Sequence, residues 1–304
     1  MKKTAWITDE IYLKHDTGEN HPESIQRLES ILRHIEPIKE KLIEVSPRLA
    51  TVQEIREIHK LELIYSVQEH SQNQEPIDTD TVLSTSSFQS ACMAVGAGLV
   101  AIDGIKEKKF ERAFCAVRPP GHHATPTQSM GFCLFNNIAI TAKYAQKEGF
   151  EKVMIIDFDV HHGNGTQDAF YSDKTVFYVS THQAFTYPGS GHPHEKGEGE
   201  GLGFTLNYPL MPESTDKEIL EFYHEDLPQV YKDFKPDILL VSAGYDLHIN
   251  DPLAQLNISN QGIQAIVRSI LDLGDTPIVF MLEGGYSLED LGKNVAMSVQ
   301  EMLS

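Results

Sequence analysis

Cysteine is scarce: Cys92, Cys115 and Cys133 are the only three in 304 residues, widely spaced and with no Cys-x-x-Cys pair. That argues against a disulfide framework and against a thiolate zinc site, and it fits a reducing, cytoplasmic setting. Long hydrophobic runs are missing too. Apolar residues make up 40% of the chain, but no 18 of them run uninterrupted, so no membrane span is expected. Positive charge is in deficit, with 25 Lys and Arg against 44 Asp and Glu and a net charge of −19. Direct nucleic-acid binding needs a basic face and is therefore not expected. The acidic surface serves solubility first, and it would also attract cationic substrates. No Pro/Gly/Ser-rich linker, internal repeat or low-complexity tract divides the chain, and no apolar segment precedes Asp9 and Glu10 to act as a secretory signal. One α/β domain over residues 1–304 is the expectation.

What the chain does have is concentrated in residues 153–165, Val-Met-Ile-Ile-Asp-Phe-Asp-Val-His-His-Gly-Asn-Gly. The run Val153 to Ile156 reads as a strand buried on both faces of a parallel sheet. It changes abruptly into Asp157, Asp159, His161, His162 and Asn164, and chemistry in open α/β sheets sits beyond the carboxyl ends of strands. If the backbone stays extended through residue 161, Asp159 and His161 point to one side and make half of a zinc site. A solvated turn is the alternative reading of this string taken alone.

Strands are expected at 4–8, 42–45, 112–117, 153–156, 175–180, 204–208, 238–242 and 278–282. Helices alternate with them. One opens at His21-Pro22-Glu23-Ser24, a short one is capped by Thr51 and Glu54, and others cover about 85–105, 136–149, 215–231 and 261–273. Residues 70–81 read as a polar surface loop, and 182–203 as a long functional loop rich in Gly and His. Strands alternating with helices imply a parallel, doubly wound sheet. Four strands end in polar turns marked by glycine: His122 and His123, Asp157 to His161, Asp246, and Tyr286. In a parallel sheet these ends share one edge. Asp159, His161 and Asp246 would then form a three-ligand zinc site with an open fourth position. The tandem histidines offer a general base, and the Tyr286 hydroxyl a donor to a developing oxyanion.

These residues, in this order, resemble the zinc-dependent histone deacetylase family, which includes acetylpolyamine amidohydrolases and bacterial histone-deacetylase-like amidohydrolases. The carriers are His21-Pro22-Glu23, Arg118-Pro119-Pro120-Gly121-His122-His123, Gly131-Phe132-Cys133, Asp157 to Gly165, Ser242 to Asp246 and Glu283-Gly284-Gly285-Tyr286. The resemblance implies an arginase/deacetylase fold, an eight-stranded parallel sheet flanked by helices. It implies Asp159, His161 and Asp246 as zinc ligands, His122 and His123 as the catalytic pair with Asp157 behind the first, and Tyr286 as the residue that polarises the acyl carbonyl. Asn164 stands behind His123 where many members have aspartate, a class-II-like feature that leaves His123 neutral. A structural potassium ion is implied at Asp157 and Ser180 with backbone oxygens of Asp159, His161 and Thr181. Phe132 and Tyr187 would flank a narrow tunnel, with Gly131 letting the substrate stem pass. His192 and His194 read as solvated, and His248 as close to the tunnel rim.

The reaction implied is metal-assisted hydrolysis of an acylated lysine or related acylated amine, with no covalent acyl-enzyme. A non-catalytic acyl-lysine-binding protein would lack the hydroxyl that Tyr286 supplies, and an arginase-like binuclear site would need carboxylates that Gly163-Asn164-Gly165 does not offer. The position matching the polyamine gatekeeper is Leu253, which favours acyl-lysine over an acylpolyamine, although Glu75, Asp78 and Asp80 offer a carboxylate from the other side of the mouth. An oligomer is left open.

Overall fold

The computed structural model describes residues 2–304. Eight strands make one sheet: β1 Thr4–Ile7, β2 Ile43–Val45, β3 Arg112–Cys115, β4 Val153–Asp157, β5 Val176–Gln183, β6 Thr205–Leu210, β7 Ile238–Ala243 and β8 Ile278–Leu282. Every pairing is parallel, in the order β2-β1-β3-β8-β7-β4-β5-β6. β4, β7 and β8 are buried along their whole length, as their continuous aliphatic runs require. β2 lies at an edge and is largely exposed.

Helices cover both faces: α1 Ile25–Ile35, α2 Val52–Ile55, α3 Leu61–Asn73, α4 Ser87–Lys106, α5 Asn137–Lys147, α6 Asn164–Phe170, α7 Asp216–Glu221, α8 Leu227–Phe234, α9 Asn260–Leu271 and α10 Leu288–Met302. α2 starts on the reciprocal Thr51–Glu54 cap read from the sequence. α4 is long and apolar enough to cross a membrane, but most of it is buried here against α5 and the sheet.

Some elements differ from the sequence reading. The stretch 70–81 is helical as far as Asn73, because Leu63, Ile64, Val67 and Ser71 form one buried face and carry the polar His70 and Gln72 along. α3 then stops at Gln74, whose φ of +57° is left-handed. α6 was hidden by the glycines at its start, and α10 follows directly on the Tyr286 turn. The helix expected over 215–231 is broken by a π-type turn at Phe222–Asp226. Pro228, which has no N–H to give and clashes with the preceding turn, enforces that register change.

The central four strands in space are β3, β8, β7 and β4. These are the strands that run into the His122, Tyr286, Asp246 and Asp159 turns. His122 and Tyr286, 164 positions apart in sequence, are thereby delivered to neighbouring strand ends.

Candidate active site

β4 stops at Asp157, so Asp159 and His161 do not share a strand face as expected. They are brought together by a turn that the carboxylates themselves hold. Asp157 accepts the Asp159 N–H at 3.1 Å, Asp159 accepts the His161 N–H at 2.9 Å, and Asp246 accepts the Val160 N–H at 3.0 Å. The result is a tight cluster in which one ligand atom each from Asp159, His161 and Asp246 lies within 4.8 Å of the others. His161 Nδ1 is 3.1 Å from Asp159 Oδ1 and 3.2 Å from Asp246 Oδ2. Asp246 Oδ2 is buried and accepts no hydrogen bond, a costly arrangement for a carboxylate unless a cation meets it. Two carboxylates and one imidazole nitrogen aimed at one point are a donor set suited to a divalent metal. Burial lowers the affinity of His161 for a proton, yet the two carboxylates outweigh it and raise its pKa to about 10, a measure of how strongly this point draws positive charge. A Cβ on Gly284 would collide with Asp246 Oδ2, so only glycine lets the β8 turn approach the cluster.

Beside the cluster stand the tandem histidines, their rings 4.0 Å apart. His122 Nδ1 pairs with Asp157 Oδ2 at 3.0 Å, and His123 Nδ1 with Asn164 Oδ1 at 2.9 Å. Burial disfavours charge on both. For His122 the carboxylates of Asp159, Asp157 and Glu283 override burial and raise its pKa well above the usual value. For His123 the neighbouring imidazoles of His122 and His161 add to burial, and its pKa falls well below the usual value. Carboxylates thus favour the charged form of His122, whereas burial and the adjacent imidazoles favour the neutral form of His123, whose amide partner Asn164 brings no countercharge.

A cavity of about 270 Å³ leads down to His123, His161 and Tyr286. Phe132 and Tyr187 form its walls. Tyr187 meets the His123 ring edge-on at 5.0 Å, and Phe132 meets Tyr286 at 5.9 Å. Gly131 has φ +56°, and a Cβ there would lie 2.7 Å from His123 Cδ2 and 2.9 Å from the Tyr187 hydroxyl. The Tyr286 pKa is raised well above 10 by burial and by Asp246, so its hydroxyl keeps its proton. At its outer end the cavity is lined by Leu253, 40% exposed, and by the exposed Asp80 of the acidic loop. His21 anchors that loop by pairing with the Asp80 carbonyl at 2.9 Å while its ring packs 4.9 Å from Phe132.

Ser180 sits beside Asp157 in register across β4 and β5, with Thr181 next to it, and both are buried. Ser180 Oγ also pairs with His182 Nδ1 at 2.8 Å. His192 and His194 are exposed and stack at 5.3 Å. His248, expected near the rim, is instead buried, with Nδ1 3.7 Å from Asp290.

The family model described as the histone deacetylase domain matches residues 21–302. The chain belongs to the histone deacetylase family. It is 37% identical to a probable deacetylase of Archaeoglobus fulgidus over 94% of this chain and 82% of that protein. It is likewise 37% identical to the chloroplastic histone deacetylase 14 of Arabidopsis thaliana, over 94% of this chain and 73% of the other. The crystal structure of the HDA15 HD domain superposes with a TM-score of 0.93 at 34% identity, covering 99% of this chain and 88% of that one. The fold is thus the arginase/deacetylase fold, and the chain is a hydrolase of the deacetylase class.

Three supporting groups escaped the sequence reading of this deacetylase. Glu283 is buried, accepts the N–H groups of Gly121 and His122 at 2.7 and 3.1 Å, and so fixes the backbone of the histidine pair. Tyr178 donates to Asp157 at 3.1 Å. The Glu23 carboxylate accepts two hydrogen bonds from Arg118 and one from Arg27, while Arg27 donates to the carbonyls of Glu283 and Gly285. The motifs His-Pro-Glu and Arg-Pro-Pro-Gly pointed to these residues without disclosing that they bind each other.

Proposed function

We propose that this deacetylase is a zinc-dependent amidohydrolase that removes acetyl or other acyl groups from lysine side chains or related amines. The observation that carries the reading is the Asp159–His161–Asp246 cluster, with its unsatisfied Asp246 oxygen, at the inner end of a cavity that also presents His123 and Tyr286. These three residues would hold the metal, which when bound supplies Lewis acidity toward the acyl carbonyl and the attacking water. The protein's own groups do the rest. Neutral His123 takes the proton from the attacking water. Tyr286 donates its hydroxyl hydrogen to the carbonyl oxygen as negative charge develops there. Charged His122, held by Asp157, supports that negative charge, and one histidine of the pair protonates the leaving amine. Phe132, Tyr187 and Gly131 fit a thin aliphatic stem such as that of lysine. We place a structural potassium ion at Asp157 and Ser180 with the backbone oxygens of Asp159, His161 and Thr181; the side-by-side register of the first two supports it.

Asp80 at the mouth favours a second reading, an acetylpolyamine amidohydrolase, since a carboxylate there can meet a distant ammonium. The test of the main reading is Asp246→Ala. It is expected to lose zinc and activity together while the circular-dichroism spectrum is kept. Full zinc occupancy in that variant would sink the ligand assignment. Wild-type protein inactive on acetyl-lysine peptides, longer acyl-lysines and acetylpolyamines alike would point to a binding role instead.

A further inference from the structure

Between β7 and α9 lies Asp251, a buried residue that no step above uses. Its carboxylate gathers three backbone donors. Oδ2 accepts the Tyr286 N–H at 2.7 Å and the Ser287 N–H at 3.3 Å, and Oδ1 accepts the Leu253 N–H at 3.0 Å. Tyr286 and Ser287 immediately precede α10, where free N–H groups and the helix dipole make a carboxylate favourable. Leu253 belongs to the cavity mouth and Tyr286 to its inner end. A second clasp joins the same two segments, because Asn250 donates to Asp290 at 3.0 Å. Gly285, directly before Tyr286, has φ +123°, a backbone state open to few other residues and one that does not by itself fix where the tyrosine points.

We infer that Asp251 is a positioning residue that ties the mouth loop bearing Leu253 to the turn bearing Tyr286, so that its carboxylate sets where the tyrosine hydroxyl stands relative to the acyl carbonyl. The inference rests on the role proposed above for Tyr286. Without the clasp the Tyr286 N–H loses its acceptor, and the turn before it is held through its neighbours, Gly284 on Asp159 and on the Tyr245 N–H, and Arg27 on the carbonyls of Glu283 and Gly285. A misplacement of about 1 Å in such a group costs up to ~10² in rate.

The test pairs kinetics with amide exchange. Asp251→Asn keeps the volume but can accept on one side only. It is expected to lower kcat on an acetyl-lysine peptide roughly 10- to 100-fold, with zinc content retained and KM little changed. In a Tyr286→Phe background the same substitution should cost less than a further twofold, because it acts through the hydroxyl already removed. An equal loss in both backgrounds, or a wild-type kcat in Asp251→Asn, overturns the inference. Asp251→Glu, which keeps the charge and shifts the carboxylate by one methylene, should also lower kcat; full activity there would show that placement does not matter. Hydrogen exchange needs no substrate. The Tyr286 amide should be strongly protected in the wild type and exchange faster in Asp251→Asn, while β4 and β7 amides stay unchanged. A fast-exchanging Tyr286 amide in the wild type refutes the clasp, whereas a protected amide in a protein that hydrolyses no acyl amide refutes only the proposed function.

Discussion

At the scale of single residues, the two histidines are identical in type and nearly so in place, and only their partners separate them. An amide behind His123 cannot stabilise an imidazolium as the Asp157 carboxylate behind His122 does. A base must be neutral before it accepts a proton, so His123→Ala is expected to damage catalysis more than His122→Ala. The acidic limb of the pH–rate profile is the discriminating measurement, since it reports protonation of the base. It should vanish with His123. Should it vanish only with His122, the two roles would have to be exchanged. Tyr286 has a simpler expectation. Tyr286→Phe removes one donor to the oxyanion and keeps the ring that packs on Phe132, so turnover should fall by ~10²–10³ with zinc content and melting temperature unchanged. Nearly unchanged turnover would mean that another group polarises the carbonyl.

Elements bring these residues together through buried charge as much as through apolar packing. α1 is fastened to the ends of β3 and β8 by Glu23, Arg27 and Arg118, all three fully buried. Burial pushes the Glu23 pKa up, but the Arg118 guanidinium outweighs it and holds the carboxyl well below its ordinary 4.5. The folded state therefore binds fewer protons than the unfolded chain at acid pH. The stability that Glu23 contributes is complete above about pH 4.5 and is lost as pH falls through its lower folded-state value. Glu23→Gln should cost about 3–5 kcal/mol at pH 7, because it leaves Arg118 buried without a countercharge, and it should flatten the acid side of the stability–pH curve. Urea unfolding at pH 7 and at a series of pH values below 4.5 checks both; a loss that does not shrink as pH falls through that series would show that the carboxylate charge is not what matters. How much of this could be read in advance follows from range. β4, β7 and β8 were legible because a strand buried on both faces leaves an unbroken aliphatic run in the sequence. Asp159, His161, Asp246 and Tyr286 were legible because each stands in a polar, glycine-marked turn that follows a strand, and a parallel sheet gathers such turns at one edge. Glu283, Asp251 and the Glu23–Arg118 pair were not. Each acts on backbone or side chains far away in sequence or across a loop, and such pairing leaves no local periodicity. The turn at 158–162 was misjudged for a related reason: alternation predicts side-chain direction only while the ladder continues, and the carboxylates end it at Asp157.

For the whole molecule, the net charge of −19 and the composition of the mouth bear on the same choice of substrate. The acidic surface raises encounter rates with any cationic substrate, lysine-rich peptide and polyamine alike, and salt screens that effect. Discrimination has to come from the mouth. There Leu253 supplies no charge and Asp80 does, so one of the acidic residues anticipated from that loop does line the same cavity as Leu253. The magnitude decides between them. Asp80 is exposed, and an exposed ion pair is worth roughly 0–1 kcal/mol, at most about fivefold in affinity. That is too little to turn an apolar mouth into a polyamine site. We therefore expect kcat/KM to favour an acetyl-lysine peptide over acetylspermidine. Asp80→Asn should lower the acetylspermidine value less than about fivefold, and Leu253→Glu should raise it while depressing the peptide. The ratio of the two kcat/KM values, measured for all three proteins at low and at physiological salt, carries the decision. A wild-type preference for acetylspermidine that Asp80→Asn abolishes would overturn the argument from Leu253 and make Asp80 the residue that selects the substrate.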